Sequence, residues 1–374
     1  MARFRGRRLS RNKAEDSGQT AALLDRRLSV ERNKGLKPKR IFVIADLKDE
    51  SPKTVRIQPR MWIKGLLRAG CDVQRFSYRL MLSRMDPVSA IRLRRYLPGL
   101  VRRRTDRLLL RQIQAYDPAV IVILSMKYLT ADTVAKIRRA APAALIVGRD
   151  EDPFPDQNPA RLEIARQTDM VINTSAGRFL QTYKDAGVPR CAFLPNLCDP
   201  DIQYRHPVGP EWKTDLLFTG KPTHTRLSEL GDRYDLIKRI AQMPNGRVYG
   251  AFGTPGVEGL HYFYALSGAK IVLSINIVND VPLYHSDRLI NGLSCGSFML
   301  AKRVPQTDLL YEDGKHLRYF DTEQEFLELA DWYLKHETER EKIARAGMEH
   351  VHQQYNAARM AQIFLELILS LIHI

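Results

Sequence analysis

Cysteine is scarce in this chain, and long hydrophobic runs are absent. Only four of the 374 residues are Cys (Cys71, Cys191, Cys198 and Cys295), and no pair has CxxC spacing. We therefore expect reduced, buried thiols and no metal site. No apolar stretch reaches the ~18 to 20 residues that span a bilayer, and the first 40 residues contain no signal-peptide core. A cytoplasmic protein is expected.

Several sequence motifs of common enzyme classes are also missing. Neither domain's first predicted strand is followed by GxGxxG, and GxxxxGK[ST], HExxH and GxSxG do not occur. These absences weigh against nicotinamide cofactors, P-loop nucleotide binding, zinc proteolysis and serine hydrolysis.

The net charge of +17 is unevenly distributed. Residues 1–40 hold 13 Lys and Arg against 4 Asp and Glu, and residues 75–111 hold 11 Arg against 2 Asp, so the rest of the chain is close to neutral. No RRM, helix-turn-helix or zinc-finger pattern supports nucleic-acid binding. Three interpretations of residues 75–111 are open. They form a solvated helix face, a surface that binds an anionic glycan acceptor, or a surface that docks on anionic lipid at the inner face of the membrane.

Length and periodicity predict two α/β domains of similar size. We expect a flexible basic arm (1–38), a first domain (39–195), a proline-rich linker (196–214), a second domain (215–355) and a terminal helix and tail (356–374). Each domain reads as Rossmann-like and doubly wound, so the two would face each other across a cleft with a ligand at the strand carboxyl ends. The last residues, LSLIHI, resemble translated sequencing-adapter sequence and are left out of this prediction.

Short apolar runs predict the strands, and helical spacing predicts the helices between them. Strands are expected at 40–45, 71–78, 119–124, 144–147, 170–173, 191–194, 215–219, 247–249, 271–276, 298–301 and 316–320. Helices are expected at 59–69, 85–115, 132–140, 226–242, 258–268, 286–295, 323–336 and 338–354.

Two segments of the second domain are suited to binding phosphate. In one, Ser286 and Asp287 can cap a helix whose first turn holds Arg288, which would give an anion site at the helix start. In the other, the strand at 215–219 ends in a loop with basic and hydroxyl side chains, namely Lys221, Thr223 and Arg226, next to Gly220. An ordinary capped helix and an ordinary solvated loop are the alternatives.

Acidic residues follow a strand of the first domain, in GRDEDPFP (148–155). Asp150 and Asp152 could act as a general base or hold substrate hydroxyls at the cleft edge. A metal-binding D-x-D string and a plain helix-capping loop are the alternatives, and Asp46 is a weaker candidate of the same kind.

Residues 215–355 resemble the CgeB-like (spore-maturation type) glycosyltransferases of the GT-B fold, in the glycosyl transferase group 1 superfamily. The likeness rests on FTGKP (218–222), YFYALSGAKIVLSIN (262–276), SDR and CGSF (286–288 and 295–298), and the AGxxxV tail with Gly347. In the first domain, LPNLCDP (194–200) is similar to the family's LPxxxDP crossing into the linker.

This resemblance implies transfer of a sugar from a nucleotide-sugar donor, held by the second domain, to an acceptor hydroxyl of a glycan, lipid-linked molecule or protein. Asp150 or Asp152 would face the acceptor, and positively charged groups would stabilise the leaving diphosphate without a metal or other cofactor. The donor-binding residues implied are Gly220, Lys221, Thr223, Arg226, His285, Ser286, Asp287, Arg288 and Asn291.

One departure from the wider group affects the expected stereochemistry. Leu283 and Asn291 stand where many retaining members have two glutamates, so both the donor-ribose contact and the anomeric outcome stay open. A nucleotide-sugar epimerase using His285, a catalytically inactive GT-B member, and a nucleic-acid-binding protein are the alternative functions.

Overall fold

The protein is described by a computed structural model that covers residues 40–47, 57–85, 98–124, 126–151, 155–222 and 233–372. The predicted basic arm (1–38) and the candidate residues Asp152, Thr223 and Arg226 lie outside these ranges. Within them, two wholly parallel β-sheets follow one another along the chain.

The first sheet has six strands in the order β2-β1-β3-β4-β5-β6. All four residues of β3 (VIVI) are buried, which is typical of a strand covered by helices on both faces. The strands are β1 (Arg40–Ala45), β2 (Asp72–Ser77), β3 (Val120–Ile123), β4 (Leu145–Asp150), β5 (Met170–Asn173) and β6 (Cys191–Phe193).

The helices of the first domain connect these parallel strands. They are α1 (Ile57–Arg68), α2 (Tyr78–Arg84), α3 (Pro98–Tyr116), α4 (Ala131–Ala140), α5 (Pro159–Ala165) and α6 (Gly177–Asp185). The helix predicted at 85–115 is confirmed over 98–115, within α3, whereas Met85 is not helical because α2 ends at Arg84, and residues 86–97 lie outside the described ranges. Tyr78, predicted to end a strand, begins α2, and its hydroxyl donates to Asp106 at 2.6 Å.

The second sheet has five strands in the order β11-β10-β9-β7-β8. They are β7 (Thr214–Thr219), β8 (Gly246–Tyr249), β9 (Ala269–Ser274), β10 (Phe298–Lys302) and β11 (Arg318–Phe320). The helices of this domain are α7 (Arg233–Gln242), α8 (Leu260–Gly268), α9 (Asp287–Ser294), α10 (Glu323–Lys335) and α11 (Glu337–Gln354). Every predicted strand coincides with an observed one to within a few residues, and the predicted fold class is confirmed.

The last helix, α12 (Ala357–Ile372), returns to the first domain and packs on α1. The rings of Trp62 and Phe364 meet edge to face with centroids 5.6 Å apart. At Gly65 the two helices approach so closely that a Cβ there would lie 2.1 Å from the carbonyl oxygen of Ala357. Small and apolar side chains therefore bind the end of the described chain to the start of the first domain.

The thiols of the four cysteines are unpaired by disulfides. Three of them are buried, but Cys191 is only half-buried because β6 is an edge strand. None of the helices in the described ranges is both long and apolar enough to cross a membrane. The described residues also hold no group of three or more His, Cys, Asp or Glu side chains arranged to bind a metal ion.

Candidate functional site

The two sheets turn the carboxyl ends of their central strands toward a cleft between the domains. A cavity of about 240 Å³ lies there, between α1 on one side and α8 and α9 on the other. Its walls include Gln58 and Met61 from the first domain and Tyr262, Asp287 and Asn291 from the second. Ligands of doubly wound domains bind at this edge of the sheet.

Arg288 is held at this edge by backbone carbonyls. Its Nε donates to the carbonyl of Thr219 at 2.7 Å, at the end of β7, and Nη1 donates to the carbonyl of Ile275 at 3.2 Å, just past β9. The guanidinium lies 4.2 Å from the centre of the Phe218 ring. Burial lowers the pKa of Arg288, and no described carboxylate forms a salt bridge with it. A guanidinium that is fixed in place without an anionic partner among the described residues has the chemistry to bind an anion.

The turn after β7 leaves room for this guanidinium. Gly220 has a φ of +125°, a conformation that L side chains rarely adopt, and a Cβ there would lie 2.8 Å from Nη2 of Arg288. Gly250, at the end of the neighbouring strand, also has a positive φ and lies against the Gly220 carbonyl. Lys221 follows Gly220 and is exposed. The glycine therefore permits the close approach of Arg288 to the strand end.

The start of α9 lies beside Arg288. The Ser286 amide donates to Oδ1 of Asn276 at 2.9 Å, and the Ser286 hydroxyl is 3.4 Å from Nη1 of Arg288. Ser286 makes no side-chain capping hydrogen bond to α9. The helix dipole and the guanidinium thus favour negative charge at the same place.

Asn291 lies one turn further along α9 and lines the cavity. Its Oδ1 accepts from Nε2 of Gln203 at 2.6 Å. The phenol of Tyr262 interacts with Thr219 and Asn291, and burial raises its pKa. An amide and a hydroxyl group therefore line the cavity at this turn, together with the carboxylates of Asp287 and Glu258 from neighbouring segments.

His285 is buried in the second domain. Its Nε2 is 2.6 Å from Oγ1 of Thr307, and that hydroxyl is in turn 2.7 Å from the Tyr319 phenol. Burial lowers the pKa of His285 to about 3, so the ring is neutral at physiological pH. The His285 carbonyl accepts from Asn196 of the linker at 3.1 Å. This residue connects the linker to the second domain's interior.

Asp150 ends β4 and is almost fully buried, with 6% of its surface exposed. Its carboxylate accepts from Nη1 of Arg161 at 2.9 Å and from the Tyr183 hydroxyl. Burial beside this carboxylate raises the pKa of Tyr183. Asp46, at the end of the β1 region, is likewise buried and pairs with Arg79 at 3.2 Å. Both acids are thus engaged with cations of their own domain.

Arg149 is a cleft residue that sequence reasoning missed. Only 3% of it is exposed, and its guanidinium stacks 5.1 Å from the Trp62 ring, pairs with Glu151 and donates to Asn196 at 3.2 Å. Burial lowers its pKa to about 10, opposed by the nearby charges of Asp287 and Asp150. The sequence feature that could have identified Arg149 is GRDED (148–152), where the arginine lies between a glycine and three acidic residues.

Residues 233–366 match the family model described as "Glycosyl transferase-like", which covers most of the second domain and the first part of α12. This match confirms the predicted enzyme class, a glycosyltransferase. No protein of curated function matches the chain significantly in sequence.

Solved structures resemble 88–90% of this chain. HepE from Anabaena, in complex with UDP-glucose, is 14% identical with a TM-score of 0.59, covering 88% of this chain and 99% of that one. Sucrose-phosphate synthase from Thermosynechococcus elongatus is 13% identical with a TM-score of 0.60, covering 90% and 99%. A glycosyltransferase from Rickettsia africae is 9% identical with a TM-score of 0.52, covering 89% and 98%. The fold is therefore GT-B.

Proposed function

We propose that the protein transfers a sugar from a nucleotide-sugar donor, bound by the second domain, to an acceptor hydroxyl in the cleft. The observation that carries this proposal is Arg288, fixed by two strand-end carbonyls beside Gly220 and the start of α9. A nucleotide diphosphate is the anion that fits a guanidinium and a helix start together. HepE binds UDP-glucose with the same fold, which supports a UDP-sugar as the donor to be tested first.

In this proposal the leaving diphosphate is stabilised by protein groups. Arg288 and the amides at the start of α9 would bear the charge that develops on the phosphate oxygen as the glycosidic bond breaks. Lys221, which is exposed at the same strand end, would add a second cation. We propose that no metal or other cofactor is needed for this step.

Other side chains are proposed to bind the hydroxyl groups of the donor and to activate the acceptor. We propose that Asn291 and Tyr262 hydrogen-bond donor hydroxyls, since both line the cavity and neither carries a charge at neutral pH. For the acceptor base we propose Asp152 in preference to Asp150, because the Asp150 carboxylate is already bonded to Arg161 and Tyr183. Asp150 would then position the segment that follows β4.

Finer aspects of the sequence prediction also belong to this proposal. We propose that the protein is of the CgeB-like type, on the strength of the motifs at 218–222 and 286–298, and that a cell-envelope glycan or lipid-linked molecule is the acceptor. The predicted docking of residues 75–111 on an anionic membrane stays a prediction, since only 75–85 and 98–111 belong to the described part of the chain.

Calorimetric titration with UDP tests the phosphate assignment. We expect Arg288→Gln to weaken UDP binding roughly 10- to 100-fold, as the loss of a charge-assisted hydrogen bond implies. Arg239→Gln is the matched control, because Arg239 is an exposed arginine of the same domain that pairs with Glu323 at 2.6 Å. Equal UDP affinity in wild type and Arg288→Gln, with both proteins folded, would remove the assignment.

A screen for transfer separates the active enzyme from a binding protein. Purified protein is incubated with UDP-sugars, and UDP release is measured with and without candidate acceptors. Donor binding with UDP release that depends on the acceptor is expected. Donor binding without any release would instead identify a catalytically inactive member of the fold.

A further inference from the structure

A second concave surface lies on the first domain, away from the cleft. It is a groove of about 530 Å³ between α3 and α4, called the basic groove here. Its cations come from both helices: Arg103, Arg107 and Arg111 from α3, and Lys136 and Arg139 from α4. The single acidic residue in its lining is Asp106.

The basic groove and the cavity in the cleft have no lining residue in common. The groove is lined by residues 103–114 of α3 and 136–140 of α4, whereas the cavity is lined by α1, α8, α9 and the residues just before α8. The end of the groove at Arg139 lies near the amino end of β4, since the neighbouring Arg138 donates to the Ala144 carbonyl, just before β4, at 2.9 Å. A ligand in the basic groove therefore occupies a site separate from the reacting groups.

The acid in the groove does not neutralise the arginines. Asp106 is 3% exposed and accepts from the Tyr78 hydroxyl at 2.6 Å, with Thr133 and Lys136 each at 3.3 Å. Lys136 also pairs with Asp132 at 2.6 Å. Within the described part of the chain, none of the four groove arginines forms a salt bridge. Four like charges thus share one concave surface, an arrangement that an anion would relieve.

The spacing of the arginines indicates an extended anion. Arg103, Arg107 and Arg111 are four residues apart, so they stand on one face of α3 at steps of about 6 Å. Arginine binds phosphate oxygens through two parallel hydrogen bonds. Leu110 and Ala140 add apolar surface to the same wall, where a carbon skeleton can lie.

We propose that the basic groove binds a small soluble molecule that carries two or more phosphate groups. The site is independent of the proposed glycosyl transfer and would make the enzyme responsive to a phosphorylated ligand outside the cleft. The volume of about 530 Å³ is that of an ordinary small-molecule site, and the arginines line it from two helices, which favours a discrete ligand over a lipid surface.

Calorimetric titration with sodium tripolyphosphate tests this proposal on the full chain. We expect the double variant Arg107→Gln/Arg111→Gln to bind at least tenfold more weakly than wild type. Arg104→Gln is the matched control, since Arg104 is an exposed arginine on α3 outside the groove lining, and it should bind within twofold of wild type. Raising salt from 50 to 200 mM should weaken the wild-type binding several-fold.

Two further experiments test where the anion binds and whether its phosphate belongs to a soluble molecule or to a lipid headgroup. Arg288→Gln should retain groove binding, and loss of tripolyphosphate binding in this variant alone would place the anion in the cleft and overturn the proposal. Equal affinity in wild type and the double variant would also overturn it. Flotation with phosphatidylserine vesicles should match flotation with phosphatidylcholine vesicles, whereas groove-dependent flotation without tripolyphosphate binding would assign the groove to a lipid surface instead.

Discussion

At the scale of single residues, two charged side chains near the carboxyl ends of the strands have opposite environments. Arg288, at the start of α9, donates to neutral carbonyls and forms no salt bridge with a described carboxylate, whereas Asp150, at the end of β4, accepts from Arg161 and Tyr183. The sequence predicts that Asp150 follows a strand and that Arg288 lies in the first turn of a helix, because both elements follow from local apolar patterns. It does not predict their partners, since Tyr183 is 33 residues from Asp150 and meets it only through the tertiary fold.

The environment of Asp150 leads to a stability prediction. We expect Asp150→Asn to lower the free energy of unfolding by about 3 kcal/mol, because it removes the buried carboxylate charge that pairs with the Arg161 guanidinium at 2.9 Å. Urea denaturation followed by circular dichroism measures this change.

Glu163→Gln is the matched control for Asp150→Asn, since Glu163 is an exposed acid on the same helix as Arg161. It should leave the unfolding midpoint almost unchanged. If Asp150→Asn unfolded at the same urea concentration as wild type but lost activity, Asp150 would be a catalytic residue. Its ion pair with Arg161 would then contribute little to the free energy of unfolding.

At the scale of helices and strands, local patterns predicted most elements, and long-range packing explains the differences. The strands were found because β-branched apolar runs bounded by turn residues are distinctive. The helix α2 was missed because Tyr78 continues the alternation of β2, and only its contact with Asp106 of α3 shows that the chain has turned. The pairing of α12 with α1 was also missed, since no local pattern joins segments so far apart in sequence.

The contact between α1 and α12 leads to a second prediction. We expect Gly65→Ala to lower the free energy of unfolding by about 1–3 kcal/mol, because its Cβ would overlap the Ala357 carbonyl and force the helices apart. Gly99→Ala on α3 is the control, because a Cβ there meets no atom within 4 Å. Alanine at that position should be neutral or stabilising by up to ~1 kcal/mol. Equal stability of Gly65→Ala and wild type would contradict this close packing.

At the scale of the whole molecule, one hydrophobic cluster joins the two domains. It contains Trp62 and Leu194 from the first domain, Leu217 and Met299 from the second, and Phe364 from α12. Linker residues Leu197 and Cys198 are fully buried in the same cluster. Because the two sheets share this core, neither domain can bury all of its apolar surface by folding alone.

This shared core predicts a single unfolding transition. Differential scanning calorimetry should give one peak whose calorimetric and van't Hoff enthalpies agree, despite the two-domain architecture. UDP should move the whole peak to higher temperature, because a ligand of the native state stabilises everything that unfolds with it. Two resolved peaks, only one of which responded to UDP, would contradict the prediction.

The return of α12 to α1 also determines the order in which the protein can be completed during synthesis. The apolar face of α1 is translated early, but its partner follows only after the entire second domain, between Arg68 and Ala357. At ordinary translation rates of about 5–20 residues per second, α12 is synthesised roughly 15 to 60 s after α1, and the surface around Trp62 stays unpacked for that time. The nascent chain thus exposes the apolar face of α1 for that interval, and the first domain is completed only after the second has been synthesised.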